Sequence, residues 1–272
     1  AKGVRLVLSQ EAKDILAIGG VENLVRGKYI PFVVVPTTSG TGSECTGVAV
    51  IRNDANGVKM EFLSPFVQPD AAVIDPRMTT GLPPKATAST GFDAMVHAIE
   101  ACTCLQANPM STAYGTTVEG GTGQDKYHFI HSYKVLTFGP EYGDGSAYGT
   151  AAIKLICENV EEATRNGSNT KARYAMAVAS TMAGVAFSNS MVGAVHAIGH
   201  ALGGVCHVPH AVAMTILLPH VMRYNLSHAA NSYAALLPAL VGGVAALNTP
   251  ADKRAEAAIE AIVRLGRELH DA

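Results

Sequence analysis

The chain has 272 residues, 48% of them hydrophobic and 15% charged, with a formal net charge of -2. That length allows one large or two ordinary domains with an ample core. Nothing in this charge balance recommends nucleic acid or an anionic membrane as a partner, since both would want a basic face. No apolar run is long enough, without charge or Pro/Gly breaks, to span a bilayer, and no signal peptide is visible. The cysteines, Cys45, Cys102, Cys104, Cys157 and Cys206, lie in apolar segments without zinc-finger spacing. They read as buried free thiols, so a reducing, cytoplasmic compartment is expected.

The first part of the chain reads as α/β. Val4 to Ala17 predicts a broken amphipathic helix. In KYIPFVVV (28–35) the β-branched end, Phe32 to Val35, predicts a buried strand that stops at Pro36. TTSGTGSE, Thr37 to Glu44, is a turn-rich loop. Gly47 to Arg52 and Ala71 to Ile74 predict two further strands, the second ending at Asp75-Pro76. From Pro83 the apolar spacing turns helical. Helices are expected over Thr87–Cys104, Ala151–Ala163, Thr170–Ser188, Met191–Leu202 before Gly203-Gly204, and Ala211–Tyr224 after Pro209. A last one, Ala251–Leu269, carries Arg254, Glu256, Glu260, Arg264 and Glu268 on its wet side. The expected organisation is an α/β portion, residues 1–76, followed by a helical portion, residues 77–272. Ala113-Tyr114-Gly115-Thr116 recurs as Ala147-Tyr148-Gly149-Thr150. The Gly- and aromatic-rich stretch between the copies reads as a hairpin or loop inserted at 116–149.

The chemistry is concentrated in a spacing. Asp93 and His97, then His196 and His200, stand one helical turn apart, with His210 beyond them. Residues four apart share a helix face, so each pair can reach one centre. His210 follows a Gly-Gly break and Pro209, which lets the backbone turn back towards that centre. A hard carboxylate with neutral imidazoles suits Fe(II) or Zn(II), and the lack of thiolates argues against a structural zinc cage. One helical histidine is ordinarily a core or surface residue. The whole set, in Ala/Gly-rich apolar surroundings, points to a metal. His207 and His220 read as bystanders, and His128 and His131 as solvated histidines or a separate weak site. The glycines of TTSGTGSE would let backbone N–H groups approach a phosphate, but such a loop is as naturally a plain turn.

Together these segments resemble the iron-dependent (group III) alcohol dehydrogenases. The similarity is carried by VPTTSGTGSE (35–44), VIDP (73–76), GFDAMVHAIEA (91–101), GAVHAIGHALGG (193–204), PHAVA (209–213) and LLPHVMRYN (217–225). The resemblance implies an α/β plus all-α, dehydroquinate synthase-like fold: a partial N-terminal dinucleotide-binding portion, then a helical metal-binding domain. It implies Asp93, His97, His196 and His210 as metal ligands and His200 as a proton relay near the nicotinamide. Thr37, Thr38, Gly40 and Thr41 match the cofactor-contacting loop, Lys59 a lysine near the cofactor ribose, and Phe187 a wall of the substrate pocket. The implied cofactors are Fe(II), with Zn(II) as the alternative, and NAD or NADP. The implied substrate is a small alcohol or aldehyde, and the implied assembly a homodimer. Ala1-Lys2-Gly3 resembles the tail of the family's GGGSxxDxAK phosphate-binding segment. The chain is therefore expected to be truncated at both ends relative to the family. Two other functions compete: a dehydroquinate synthase-like or glycerol dehydrogenase-like enzyme, and a non-catalytic metal-binding fragment or assembly protein. Few Lys or Arg near the ligands, together with Phe187, favour a small alcohol over a polar phosphorylated substrate.

Overall fold

A computed structural model describes residues 1–18, 27–53, 55, 59–103 and 146–271. Most of the expected insertion, 116–145, lies outside the described residues. Residues 146–149 open a helix.

Helix α1 (Lys2–Ser9) is followed by a 3₁₀ turn at Leu16–Ile18, so the broken helix expected over Val4–Ala17 is two short pieces. Strand β1 (Val33–Val34) pairs in parallel with β4 (Ala71–Ala72), Val33 opposite Ala71. Strands β2 (Val48–Arg52) and β3 (Lys59–Leu63) form an antiparallel pair, Val48 opposite Leu63 and Arg52 opposite Lys59. β3 was not anticipated, because a five-residue segment containing Lys59 and Glu61 shows little apolar alternation. The buried strand expected at Phe32–Val35 is corrected: Val33 is 61% and Val35 43% exposed. Only one face of the segment, Phe32 and Val34, is partly covered, and the strand pairs with two exposed alanines.

The remainder is helical: α2 (Pro84–Thr103), α3 (Ser146–Arg165), α4 (Thr170–Ser190), α5 (Ala194–Cys206), α6 (His210–Val241), α7 (Gly243–Asn248) and α8 (Arg254–His270). Local chemistry sets several boundaries. Asn169 caps α4 by accepting from the backbone N–H groups of Lys171 and Ala172. Helix α2 begins at Pro84, whose missing N–H costs nothing in a first turn. Helix α6 outruns its expected end at Tyr224 and passes through Pro219 and Pro238, held by buried Ala229, Tyr233, Leu236 and Leu237. The Gly203-Gly204 break is a second correction. Helix α5 continues through both glycines to Cys206, and the chain turns only at His207, which adopts the left-handed conformation (φ 56°).

The core is built from Phe92, Met95 and Ile99 of α2, Ile153 and Ile156 of α3, Met176 of α4, Met214 and Leu218 of α6, and Ile259 and Ile262 of α8. Each such side chain contributes about 1.5–3 kcal/mol when withdrawn from water. Arg173 is buried at the base of α4 and donates to the Gly167 and Leu82 carbonyls and to Thr87 Oγ1 (3.0, 3.1 and 2.6 Å), tying α4 to the start of α2. A smaller cluster, Leu6, Ile18, Ala49, Phe62 and Val67, packs α1 against the β2–β3 hairpin. Buried Lys2 fastens the two by donating to Thr46 O, Thr46 Oγ1 and Val48 O (2.6, 3.0 and 2.7 Å).

The expectation of uniformly buried cysteines is also corrected. Cys206 is exposed on the last turn of α5, beside Val205 at 81% exposure, while Cys45, Cys102 and Cys157 are partly buried. These four are free thiols.

Two glycines of TTSGTGSE serve packing. A Cβ on Gly40 would lie 2.8 Å from the Thr90 carbonyl of α2, and one on Gly42 would lie 2.5 Å from the Gly184 Cα of α4. Gly42 also has φ +58°, a conformation that L side chains resist. Gly42→Ala is expected to destabilise the fold by roughly 2 kcal/mol or more, from strain and overpacking together; the shift in urea midpoint at unchanged m-value measures it.

Candidate metal centre

Asp93 lies midway along α2 and is 2% exposed, among Phe92, Ala94 and Met95. His196 lies in the first turn of α5, and His210 is the first residue of α6. What brings α5 onto α6 is the tight turn at His207–Pro209 and the absence of a side chain at Gly199. A Cβ there would fall 1.8 Å from Met214 Cε of α6. Gly199, the first glycine of GHALGG, thus permits close helix approach.

Ligand atoms of Asp93, His196 and His210 lie within 4.8 Å of one another, the one such group among the described residues. Asp93 Oδ1 is 3.4 Å from His210 Nε2 and 3.9 Å from His196 Nε2. Asp93 Oδ1 and His196 Nε2 are buried without a hydrogen-bond partner. Orphaned buried polar atoms are costly, and a divalent cation held by a carboxylate and neutral imidazoles would satisfy both. The donor set therefore fits the expected metal.

His97, the fourth expected ligand, stands beside this triple. Its Nδ1 is 4.0 Å from Asp93 Oδ2, and its ring stacks between His196 (centroids 4.4 Å) and Phe187 (4.5 Å). Its Nδ1 is likewise buried without a partner. His200 lies at the rim, its ring 5.2 Å from that of His210 and 5.9 Å from that of His196. His207 and His220 are exposed and outside the cluster, as bystanders should be. His128 and His131 lie outside the described residues.

Burial sets the protonation. Desolvation drives His97 well below the ordinary histidine range, with the neighbouring His196 adding to the effect. Desolvation likewise lowers His210 to about 4, although Asp93 pulls the other way. Both imidazoles therefore offer lone pairs at neutral pH. Desolvation raises the Asp93 carboxyl, opposed by His210 and His196.

One residue of this site was missed from the sequence. Glu100, 5% exposed, accepts from His196 Nδ1 at 2.5 Å and from the Val195 backbone N–H at 2.7 Å. With Nδ1–H committed to a carboxylate, Nε2 is the ring nitrogen left to ligate, and it lies 3.9 Å from Asp93 Oδ1. This is how an outer carboxylate orients and sharpens a ligating histidine. The signal was present: Glu100 is a carboxylate on the same apolar helix, two turns on from Asp93 and one from His97.

The cluster forms the floor of a cleft of about 810 Å³. Phe187, Val48 and Val192 give it apolar walls, and Thr41, Ser43 and Lys59 give it polar ones. Phe187 is 8% exposed and also packs with Ala101 and Ala186, so it serves both core and cleft. Lys59 Nζ sits close over Gly203, 3.1 Å from where a Cβ would be. The Gly40 backbone is close enough to the His97 ring to oppose, in small part, the lowering of its pKa. Thr37 is exposed and Thr38 half-buried, and neither lines the cleft. Cationic groups are more numerous than expected, because Lys2 and Arg52 also line it.

The chain belongs to the Fe-containing alcohol dehydrogenase family: the profile of that family's C-terminal part matches residues 128–272, and the iron-containing alcohol dehydrogenase profile matches residues 1–76. It is 35% identical to a 1,3-propanediol dehydrogenase of Citrobacter freundii over 268 residues, which cover 98% of this chain and 59% of the relative. An NAD-dependent methanol dehydrogenase of Bacillus methanolicus is 34% identical over 269 residues, 98% of this chain and 60% of that one. In structure the chain is similar to a 1,3-propanediol oxidoreductase (TM-score 0.79, 34% identity, 98% of this chain and 60% of the other). The chain thus spans about three-fifths of the length of the curated relatives it matches.

Two outcomes are expected. Glu100→Ala should weaken Zn(II) binding roughly 10- to 100-fold in a chelator competition. Acid should also destabilise the metal-free chain. The unfolded state protonates His210 near 6.5 and the folded state only near 4, so stability is lost as pH falls through that window. Urea midpoints at pH 7 and pH 5 should therefore differ, and less so in His210→Gln.

Proposed function

We propose that this chain is the metal-binding part of an NAD(P)-dependent alcohol dehydrogenase, or aldehyde reductase, that moves hydride between a nicotinamide and a small aliphatic alcohol. The observation that carries this reading is the Asp93–His196–His210 triple, with Asp93 and His196 buried and their ligand atoms orphaned, behind a cleft lined by His196, His210, Phe187 and Thr41. Asp93, His97, His196 and His210 would hold Fe(II) or Zn(II), which would supply a Lewis acid for the alcohol or carbonyl oxygen.

The other roles are those the family resemblance implies; Phe187, His200, Thr41 and Lys59 line the cleft, which supports theirs, whereas Thr37 and Thr38 do not line it. Phe187 excludes water beside His97 and offers an apolar wall to a short carbon chain. His200 at the rim accepts the substrate's hydroxyl proton and passes it towards solvent. Thr37, Thr38, Gly40 and Thr41 form the loop that contacts the cofactor, and Lys59, with Lys2 and Arg52 in the same cleft, favours an anionic ligand such as NAD or NADP. Residues 1–76 are read as part of a dinucleotide-binding α/β domain and 77–272 as the helical catalytic domain of a dehydroquinate synthase-like fold. A homodimer in the cytoplasm is the proposed state. The free thiols accord with a reducing compartment, and no helix among the described residues is long and apolar enough to cross a membrane.

The test is titration of the Fe(II)- or Zn(II)-loaded chain with NADH and NADPH by fluorescence, followed by a short aldehyde. Saturable binding and cofactor oxidation are expected, and Asp93→Ala should abolish stoichiometric metal uptake. Full metal occupancy without cofactor binding would overturn the dehydrogenase reading in favour of a metal-binding protein. Retained occupancy in Asp93→Ala would overturn the ligand assignment.

A further inference from the structure

The histidine at the rim of the cleft has a partner from a distant part of the chain. His200 Nδ1 lies 2.7 Å from Glu61 Oε1, across 139 residues of sequence, and joins helix α5 to strand β3. The register of the hairpin sets this contact. Lys59 and Glu61 are two apart on β3 and so project from one face of it, and both line the cleft. The intervening Met60 and the next residue, Phe62, turn to the small core under α1. The strand register thus sets the face from which the glutamate projects.

A carboxylate accepts hydrogen bonds and donates none. At 2.7 Å the shared proton therefore belongs to His200 Nδ1, and in the neutral ring Nε2 is left as the acceptor. In a free histidine neither ring nitrogen is singled out in this way; the bond made by one decides what the other can do. Exposure grades outward along the same line. The Asp93 side chain is 3% exposed, that of His200 22%, that of His210 31% and that of Glu61 57%, so the glutamate is the wettest member of this line and His200 shares the partly open side of the cluster with His210. Glu100 does the same for His196 inside the cluster. Each of the two α5 histidines is thus oriented by a carboxylate from a different element, one buried in α2 and one exposed on β3.

We propose that Glu61 is a positioning residue for His200: it holds the ring in the Nδ1–H tautomer and orientation, leaving Nε2 as the proton acceptor at the mouth of the cleft. The proposal rests on His200 being the proton-transfer group of the dehydrogenase reading.

The experiment uses the full chain labelled with ¹⁵N-histidine. Long-range ¹H–¹⁵N spectra are recorded at mildly alkaline pH, and the His200 signals are assigned by their loss in His200→Gln. Wild type is expected to show a protonated Nδ1 and an unprotonated Nε2. Glu61→Leu should abolish that preference, and Glu61→Gln, which keeps an acceptor oxygen, should restore it. An Nε2–H tautomer in wild type, or an unchanged tautomer in Glu61→Leu, would overturn the proposal. In the metal-loaded protein, Glu61→Leu should lower kcat roughly tenfold or more, with KM and metal content near wild type, and Glu61→Gln should recover most of the loss. A switched tautomer with unchanged kcat would also overturn it. Absence of turnover in wild type would count against the dehydrogenase reading alone, because the tautomer is read without catalysis.

Discussion

The structure turns on the burial of Asp93. A carboxylate 2% exposed within an apolar helix bundle carries a large desolvation cost, and among the described residues its Oδ1 finds no hydrogen-bond donor. Its neighbours are imidazoles that burial keeps neutral, His97 and His210, together with His196, whose Nδ1 proton is already committed to Glu100. An arrangement that refuses to neutralise itself from within suits a cation from outside. The surrounding helices make this possible: the core of α2, α3, α4, α6 and α8 supplies the hydrophobic stabilisation that can carry a few uncompensated polar atoms.

Close approach of helices is the second requirement, and glycine meets it. Gly199 admits Met214, so that α5 and α6 bring His196 and His210 to one point. Gly42 and Gly184 let the TTSGTGSE loop lie on α4, and Gly40 lets it lie on α2 beside His97. The loop therefore roofs one side of the cluster because it is packed against the helices that carry the ligands. Its glycines answer first to sterics, and any reach of its N–H groups towards a phosphate comes from the same compact backbone.

Much of the site was legible before any coordinates. Asp93-x3-His97 and His196-x3-His200 share helix faces through the 3.6-residue period alone, and α2, α4 and α8 fall within a few residues of the apolar pattern that predicts them. Glu100 was legible in principle, as a carboxylate in an otherwise apolar turn. The run through Gly203-Gly204 was not, because glycine as a helix end and glycine as a packing surface look alike in sequence and differ only in what stands opposite. β3 was hidden for a related reason: Lys59 and Glu61 face a cleft, so their polarity reports the site and masks the strand. The exposure of Val33 and Val35 likewise depends on what lies over them.

The sequence by itself determined which residues are able to ligate, at what spacing, and in how apolar a setting, because those properties are local to each helix. Tertiary structure alone decided the rest. It brought His210 to 3.4 Å from Asp93, set His97 between Phe187 and His196, and paired His200 with Glu61 and His196 with Glu100. These contacts join segments up to 139 residues apart. They are fixed by helix crossings and strand register, which the order of residues encodes only through packing of the whole chain.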